Sequence, residues 1–381
     1  MFTWVILFLM KRIILFFLLM VCCLGCGYSW YREHFLNQMI GQMIIVGFNG
    51  SKLTPNNPIV RDVQKYHIGG VILFNENKII NHPEYEKNIK SPTQVKQLIS
   101  DLQKISQLPL FIAIDQEGGK VARLSTAFGV SDKSAWQLGN LNDLETTRKE
   151  ADKTTNILKQ LGFNVNFAPC VDIMLNPDSP IIMFKERSFS SDPNVVSAQA
   201  EVVLKSHLSN NVLPVLKHFP GHGSARGDTH IGFVDITDDF QAIELIPYQK
   251  LLSRFPQIGV MVAHLFDQNI DSNFPASLSP KHIGQKLRKE LSFSGLVFTD
   301  DLQMQALTDH WDWYDIVVNA INAGNDILVI GNNLNYDPDI VPKTIDIVAK
   351  AVKKGDILPE RIQESYQRII QTKRKLKEGI K

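Results

Sequence analysis

The chain predicts an α/β fold, a single (β/α)8 barrel, on three observations. Eight short apolar runs recur along it, helical patterns fall between them, and ionisable residues stand just after the runs. Its 381 residues, 44% of them hydrophobic, suffice for one large domain or two ordinary ones. With 40 Lys+Arg against 39 Asp+Glu, there is neither a basic face for nucleic acid nor an acidic tail. Four cysteines in such a length cannot be a disulfide framework, and no cofactor fingerprint follows the first apolar run.

The first 25 residues read as an address. Lys11-Arg12 precede an apolar stretch from Ile13 to Leu24 that Gly25-Cys26 closes. That stretch is about half of the roughly 20 residues a spanning helix needs, and suits the core of a secretory signal. A small residue before a cysteine at its end resembles a bacterial lipoprotein signal, with Cys26 as the lipidated residue and Met10 as the better start. An uncleaved signal anchor from Met1 is the competing reading. Both place the folded part on a membrane surface in the cell envelope, outside the cytoplasm. Residues 26–36 are then a short tether and 37–381 a single domain, expected as a monomer.

Within that domain the expected strands are Met43–Val46, Val71–Phe74, Leu110–Ile114, Val165–Phe167, Val212–Leu216, Val260–Val262, Leu296–Phe298 and Ile327–Ile330. All are short and rich in β-branched residues, as strands buried on both faces should be. Ser91-Pro92 opens a helix, a cap followed by proline, with Val95, Leu98, Ile99, Leu102 and Ile105 on one stripe. Ser279-Pro280 opens another, carrying Ile283, Leu287 and Leu291. A helix with Ile345, Val348, Ala349 and Val352 ends at Gly355, and Pro359 begins the last, with Ile362, Tyr366, Ile369 and Ile370 inward. An open doubly wound sheet is the alternative.

In a barrel, functional groups gather at the C-terminal ends of the strands. Here the runs lead into Asp115, Asp172, Lys217-His218, His264, Asp300-Asp301 and Gly331-Asn332-Asn333. The densest segment is Lys217 to His230, where Gly221, Gly223, Gly227 and Gly232 suggest a mobile loop. In an extended stretch Asp228 and His230 point the same way, so the carboxylate can fix the imidazole tautomer and favour its charged form. Such a pair can serve as general acid and then base. His218, His222, Asp228 and His230 are also potential metal ligands. Pro220 and the glycines forbid the helix that a His-x3-His site needs, so no metal is expected. His222 reads as a hydrogen-bonding brace, Asp301 as a helix cap, and Cys170 as a small buried hydrophobe.

Several stretches resemble the barrel domain of glycoside hydrolase family three, in its bacterial β-N-acetylglucosaminidase branch. They are Asp115 to Arg123, Arg187-Ser188-Phe189 with Asp192-Pro193, Lys217 to His230, Pro275 to Ser279, and Phe298 to Met304. The resemblance implies a retaining hydrolase with Asp300 as nucleophile, His230 as acid/base and Asp228 as its partner. It places Asp115, Arg123, Arg187, Lys217 and His218 on the sugar hydroxyls, with a carbohydrate, peptidoglycan-derived substrate and no cofactor. Residues 75–87 look inserted at the rim, and Met183 to Glu186 depart from the usual glycine before Arg187. Phosphorolysis by the same residues, a β-glucosidase, and a non-catalytic wall-sugar-binding lipoprotein are the competing functions.

Overall fold

A computed structural model describes residues 35–78 and 85–379. The signal, Cys26 and most of the tether lie outside the described residues. Eight parallel strands form the centre: β1 (Ile44–Gly47), β2 (Gly70–Ile72), β3 (Phe111–Ile114), β4 (Val165–Asn166), β5 (Leu213–Phe219), β6 (Gly259–Val262), β7 (Leu296–Thr299) and β8 (Leu328–Ile330). Their order is β7-β6-β5-β4-β3-β2-β1-β8, and a parallel bridge between Phe298 and Ile327 joins the two ends. This is the expected (β/α)8 barrel, not an open sheet. Each strand is buried along its whole length, because helices cover the outside and side chains such as Phe167 and Phe298, 5.8 Å apart, fill the inside.

Closure rests on side chains as much as on backbone. The Thr299 hydroxyl accepts from the Val329 amide at 2.9 Å, and the Asp326 carboxylate accepts from the Val297 amide at 3.1 Å. Asp326 is fully buried, and Arg288, Arg361 and Arg368 converge on it at 2.6, 3.1 and 3.0 Å. Asp326→Asn leaves Arg288 without a counter-charge and Arg361 and Arg368 with only the exposed Glu364. It is expected to lower the unfolding free energy by about 3–5 kcal/mol, read as an earlier midpoint in denaturant.

The caps fall where the sequence puts them. Ser91 accepts from the Gln94 amide at the start of the helix Pro92–Ile105, and Gly355 ends the helix Ile340–Lys354 with φ +88°. The helix after Pro280 differs. Lys281–Glu290 winds as a π-helix, with the Leu291 amide reaching the Lys286 carbonyl at 3.0 Å, so Leu291 falls beyond its end and only half-buried.

β5 is longer than expected and carries Lys217 and His218 inside it. Its register against β6 slips between Leu216, opposite Val260, and Phe219, opposite Val262, which gives β5 an extra residue. A regular strand would turn one of two adjacent side chains away, but the bulge lets both reach the same end of the barrel. No helix among the described residues is long and apolar enough to cross a membrane.

Candidate active site

A cavity of about 540 Å³ opens at the C-terminal ends of the strands. Asp115, Arg123, Arg187, Lys217, His218, Asp228, His230 and Asp300 all line it, although they come from five different segments. Asn75, Glu76 and Lys78 reach the same wall, so the inserted segment does sit at the rim; residues 79–84 lie outside the described residues.

One wall is a continuous run of charge. Asp115 accepts from Lys217 Nζ at 2.9 Å and from Arg123 Nη2 at 3.3 Å. Glu117, two residues on, receives Arg187 through both Nε and Nη2, at 2.9 and 2.7 Å, and Lys217 at 2.7 Å. Burial would push both carboxyls up. Lys217 and Arg123 instead hold Asp115 well below its ordinary 3.8, while Arg187 and Lys217 hold Glu117 down to about 2. Lys217 is raised in turn, Asp115 and Glu117 outweighing its burial. Gln116 fixes the hairpin between them: its Oε1 accepts from the Arg123 and Leu124 amides at 2.9 and 2.8 Å.

The run continues through His218. Arg187 Nη2 donates to His218 Nε2 at 2.8 Å, so the ring proton sits on Nδ1 and is donated to Asp172 Oδ2 at 2.6 Å. Asp172 also accepts from the His218 and His222 amides and from the Cys170 thiol at 3.1 Å. Burial opposes its ionisation, but His218 and His222 hold it well below the ordinary value. Both ring nitrogens of His218 are therefore engaged. It has none free for a sugar hydroxyl and acts here by orienting Arg187. Lys217, by contrast, uses two of its three ammonium protons on Asp115 and Glu117 and keeps one.

The opposite wall carries Asp300, directly after β7. Its amide donates to the Val262 carbonyl at 3.0 Å, and its Oδ1 accepts from the Asp301 amide at 2.8 Å. Burial raises its pKa, but His218, His264, His230 and that amide bring it below 3.8. Asp301 points away. It accepts from the Gln303 and Gly331 amides at 3.1 and 2.8 Å, tying the turn after β7 to the end of β8. It is not a helix cap: the short helix Gln305–Thr308 begins at Met304 without a side-chain cap. Burial pushes its carboxyl up to about 6. His264 supports this turn, donating from Nε2 to the Asp301 carbonyl at 2.9 Å and accepting the Ser277 hydroxyl at Nδ1 at 2.7 Å.

Asp228 and His230 meet at 2.7 Å between Oδ1 and Nδ1. They do so through a turn and not through extended alternation, since the same Oδ1 also accepts the His230 amide at 2.9 Å. His230 Nε2 has no partner among the described residues. Burial lowers the His230 pKa, but Asp228 and Asp300 outweigh it and raise the group above 6.5. The glycines of this segment divide into two kinds. A Cβ at Gly223 would stand 1.6 Å from the Ile173 carbonyl, and one at Gly221 would strike Glu244, so these two serve close packing at the loop root. Around Gly232 there is open space. His222 is buried with neither ring nitrogen bonded among the described residues, and burial lowers it to about 4; it braces the loop through its backbone amide and through its ring, edge to face with His218 at 6.0 Å between centroids.

Among the described residues, one group could hold a metal: Cys170, Asp172 and His218, with ligand atoms within 4.8 Å of one another. Its donors do not fit. Burial and Asp172 hold the thiol well above its ordinary pKa, and thiol and imidazole both donate to Asp172. The four potential ligands named from the sequence, His218, His222, Asp228 and His230, do not form such a group among the described residues. The sequence places Asp172 at a strand end without giving it a role, and Glu117 is the site residue it does not single out. Glu117 was detectable from its same-face spacing to Asp115.

The chain is similar to Beta-hexosaminidase A of Pseudoalteromonas piscicida, 32% identical over 379 residues, covering 89% of this chain and 61% of that one. It is 33% identical to Beta-hexosaminidase LpqI of Mycobacterium tuberculosis, covering 81% of this chain and 76% of that one. Among solved structures, a glycoside hydrolase family 3 β-N-acetylglucosaminidase from Paenibacillus sp. str. FPU-7 superposes with TM-score 0.80 at 30% identity, over 90% of this chain and 62% of that one. M tuberculosis LpqI follows with TM-score 0.76 at 29% identity, over 88% and 93%. The chain thus spans about three fifths of the length of some relatives and most of others. The family model described as the glycosyl hydrolase family 3 N terminal domain matches residues 35–372, the whole of the barrel, and the chain belongs to glycosyl hydrolase family 3.

Proposed function

We propose that this chain is a retaining exo-β-N-acetylglucosaminidase that releases terminal N-acetylglucosamine from peptidoglycan fragments. The observation that carries the reading is the Asp228–His230 pair facing Asp300 in one cavity. Relatives named beta-hexosaminidase support the acetamido sugar. The apolar leader ending at Gly25-Cys26 supports a lipid anchor on Cys26 and a place in the cell envelope.

The chemistry follows from the protonation states. Asp300, held ionised, attacks C1 as the glycosidic C1–O bond breaks, and His230 Nε2–H gives its proton to the departing oxygen. The neutral ring keeps its Nδ1 proton on Asp228 and presents a lone pair at Nε2. That lone pair takes a proton from water as the water attacks C1 and displaces Asp300. A neutral base next to the ester carries no charge to repel a nucleophile. Asp115, Arg123, Lys217 and Arg187 offer the acceptors and donors for the sugar hydroxyls.

The direct test is hydrolysis of a chromogenic N-acetylglucosaminide. Turnover of the plain glucoside alone overturns the sugar assignment, and a phosphate-dependent sugar 1-phosphate product overturns hydrolysis. For the anchor, Cys26→Ala is expected to move the protein from the membrane to the soluble fraction.

The pH profile is a further expectation. The free enzyme needs Asp300 charged and His230 protonated, so kcat/KM should hold between an acid limb below 3.8 and an alkaline limb above 6.5. Asp228→Asn removes the charge that raises His230, and the alkaline limb is expected to move to lower pH. An unmoved limb contradicts the pairing.

A further inference from the structure

Beyond the catalytic cavity, a string of aromatic rings runs over the surface from the loop that carries His230. Phe266 lies 5.2 Å from Phe233 between ring centroids, Phe233 lies 5.0 Å from His310, His310 5.6 Å from Trp311, and Trp311 6.4 Å from Phe274. Phe233 is 40% exposed and His310 is exposed, while the other three rings are half-buried and so held in place. Beside the string Ile231 is 73% exposed, leaving apolar surface uncovered where the chain could have hidden it.

Along the chain, the string follows closely on the reacting groups. The segment from Asp228 to Phe233 starts at the pair that handles the proton, and the segment from Asp300 to Trp311 starts at the carboxylate facing it. The Ala306 amide donates to the Thr229 carbonyl at 3.2 Å, so the two segments are fastened together along their course. The hydroxyl-binding wall of Asp115, Lys217 and Arg187 belongs to other strands. What leaves the cavity past His230 is by necessity the leaving group, because His230 protonates the oxygen that departs.

Apart from His310 the string contains no ionisable residue. The rings, tilted against one another, offer apolar surface with two polar ring edges, which suits the C–H faces of a pyranose. We propose that the string is a binding track for the leaving-group side of a β-linked amino-sugar chain, so that the preferred substrate is an oligosaccharide of several residues and not a disaccharide. The proposal rests on the exo-N-acetylglucosaminidase reading above. Its binding energy comes from sugars remote from the reacting bond.

The test is kcat/KM for the full chain on chitobiose, chitotriose and chitotetraose against an aryl N-acetylglucosaminide, in the parent, in His310→Ala and in Trp311→Ala. The expected result is a rise with length in the parent, with the tetramer-to-aryl ratio falling roughly tenfold in Trp311→Ala and less in His310→Ala. His310 is exposed, so its variant answers even if Trp311→Ala fails to fold. Hydrolysis with a flat length profile, or an unchanged ratio in a folded variant, overturns the track while leaving the enzyme assignment standing. Loss of binding to lipid vesicles or to a protein on the same substitutions, with the ratio intact, assigns the surface elsewhere and also overturns it. No hydrolysis of any N-acetylglucosaminide overturns the function and the track together.

Discussion

Asp300→Asn is expected to lower kcat/KM on an aryl N-acetylglucosaminide by roughly 10⁴-fold or more. The carboxylate is the sole nucleophile in the proposed sequence, and no neighbour can replace it. Asp301 is turned into the Gln303 and Gly331 amides, and Asp115 is committed to Lys217 and Arg123 on the opposite wall. The amide keeps the shape, and its oxygen can still accept from the Asp301 amide, so the fold should persist. Kinetics combined with an unchanged denaturation midpoint check both halves. Residual activity within tenfold of the parent places the nucleophile on another residue.

His230→Ala should cost less, and unequally. On chitobiose, whose leaving group needs a proton, the loss is expected at about 10³–10⁴-fold, near the upper range for general acid catalysis. On a nitrophenyl glycoside, whose leaving group departs unaided, the first step is nearly spared and the second, which needs a base, becomes limiting. Azide requires no base, so adding it should restore turnover of the nitrophenyl substrate and yield a β-glycosyl azide. Equal losses on the two leaving groups, with no azide effect, contradict the role given to His230.

Much of the barrel could be read from the chain because each strand announces itself locally. A run such as Phe111–Ile114 is apolar, β-branched and followed by Asp115, and nothing distant is needed to place that carboxylate at a strand end. Asp228 and His230 are two positions apart, so their meeting was legible, although the turn that brings them together was not. The chain of contacts along the charged wall was out of reach. Arg187 meets Glu117 across 70 positions and His218 across 31, and His218 meets Asp172 across 46. No local period relates these residues. The bulge in β5 was equally hidden, because it exists only relative to β6. It turns Lys217 and His218, which simple alternation would separate, into neighbours of one cavity.

The loop shows how one residue type carries two meanings. Gly221, Gly223, Gly227 and Gly232 look alike in sequence and suggest mobility throughout. Three of them are packed so closely that a side chain would collide with Glu244, Ile173 or Val234, and Glu244 accepts from the Gly223 amide at 2.8 Å. Close packing therefore reaches from the root of the loop to Gly227, and open space surrounds Gly232, beyond His230.

The central claim is a covalent intermediate on Asp300. A 5-fluoro glycosyl fluoride of N-acetylglucosamine slows both steps through its inductive effect, while its good leaving group lets the first outrun the second, so the ester accumulates. Digestion and mass spectrometry then locate the label. The account predicts a single modified peptide containing Asp300. A label on Asp115, Glu117 or Asp228, or no adduct together with an inverted product, would contradict it.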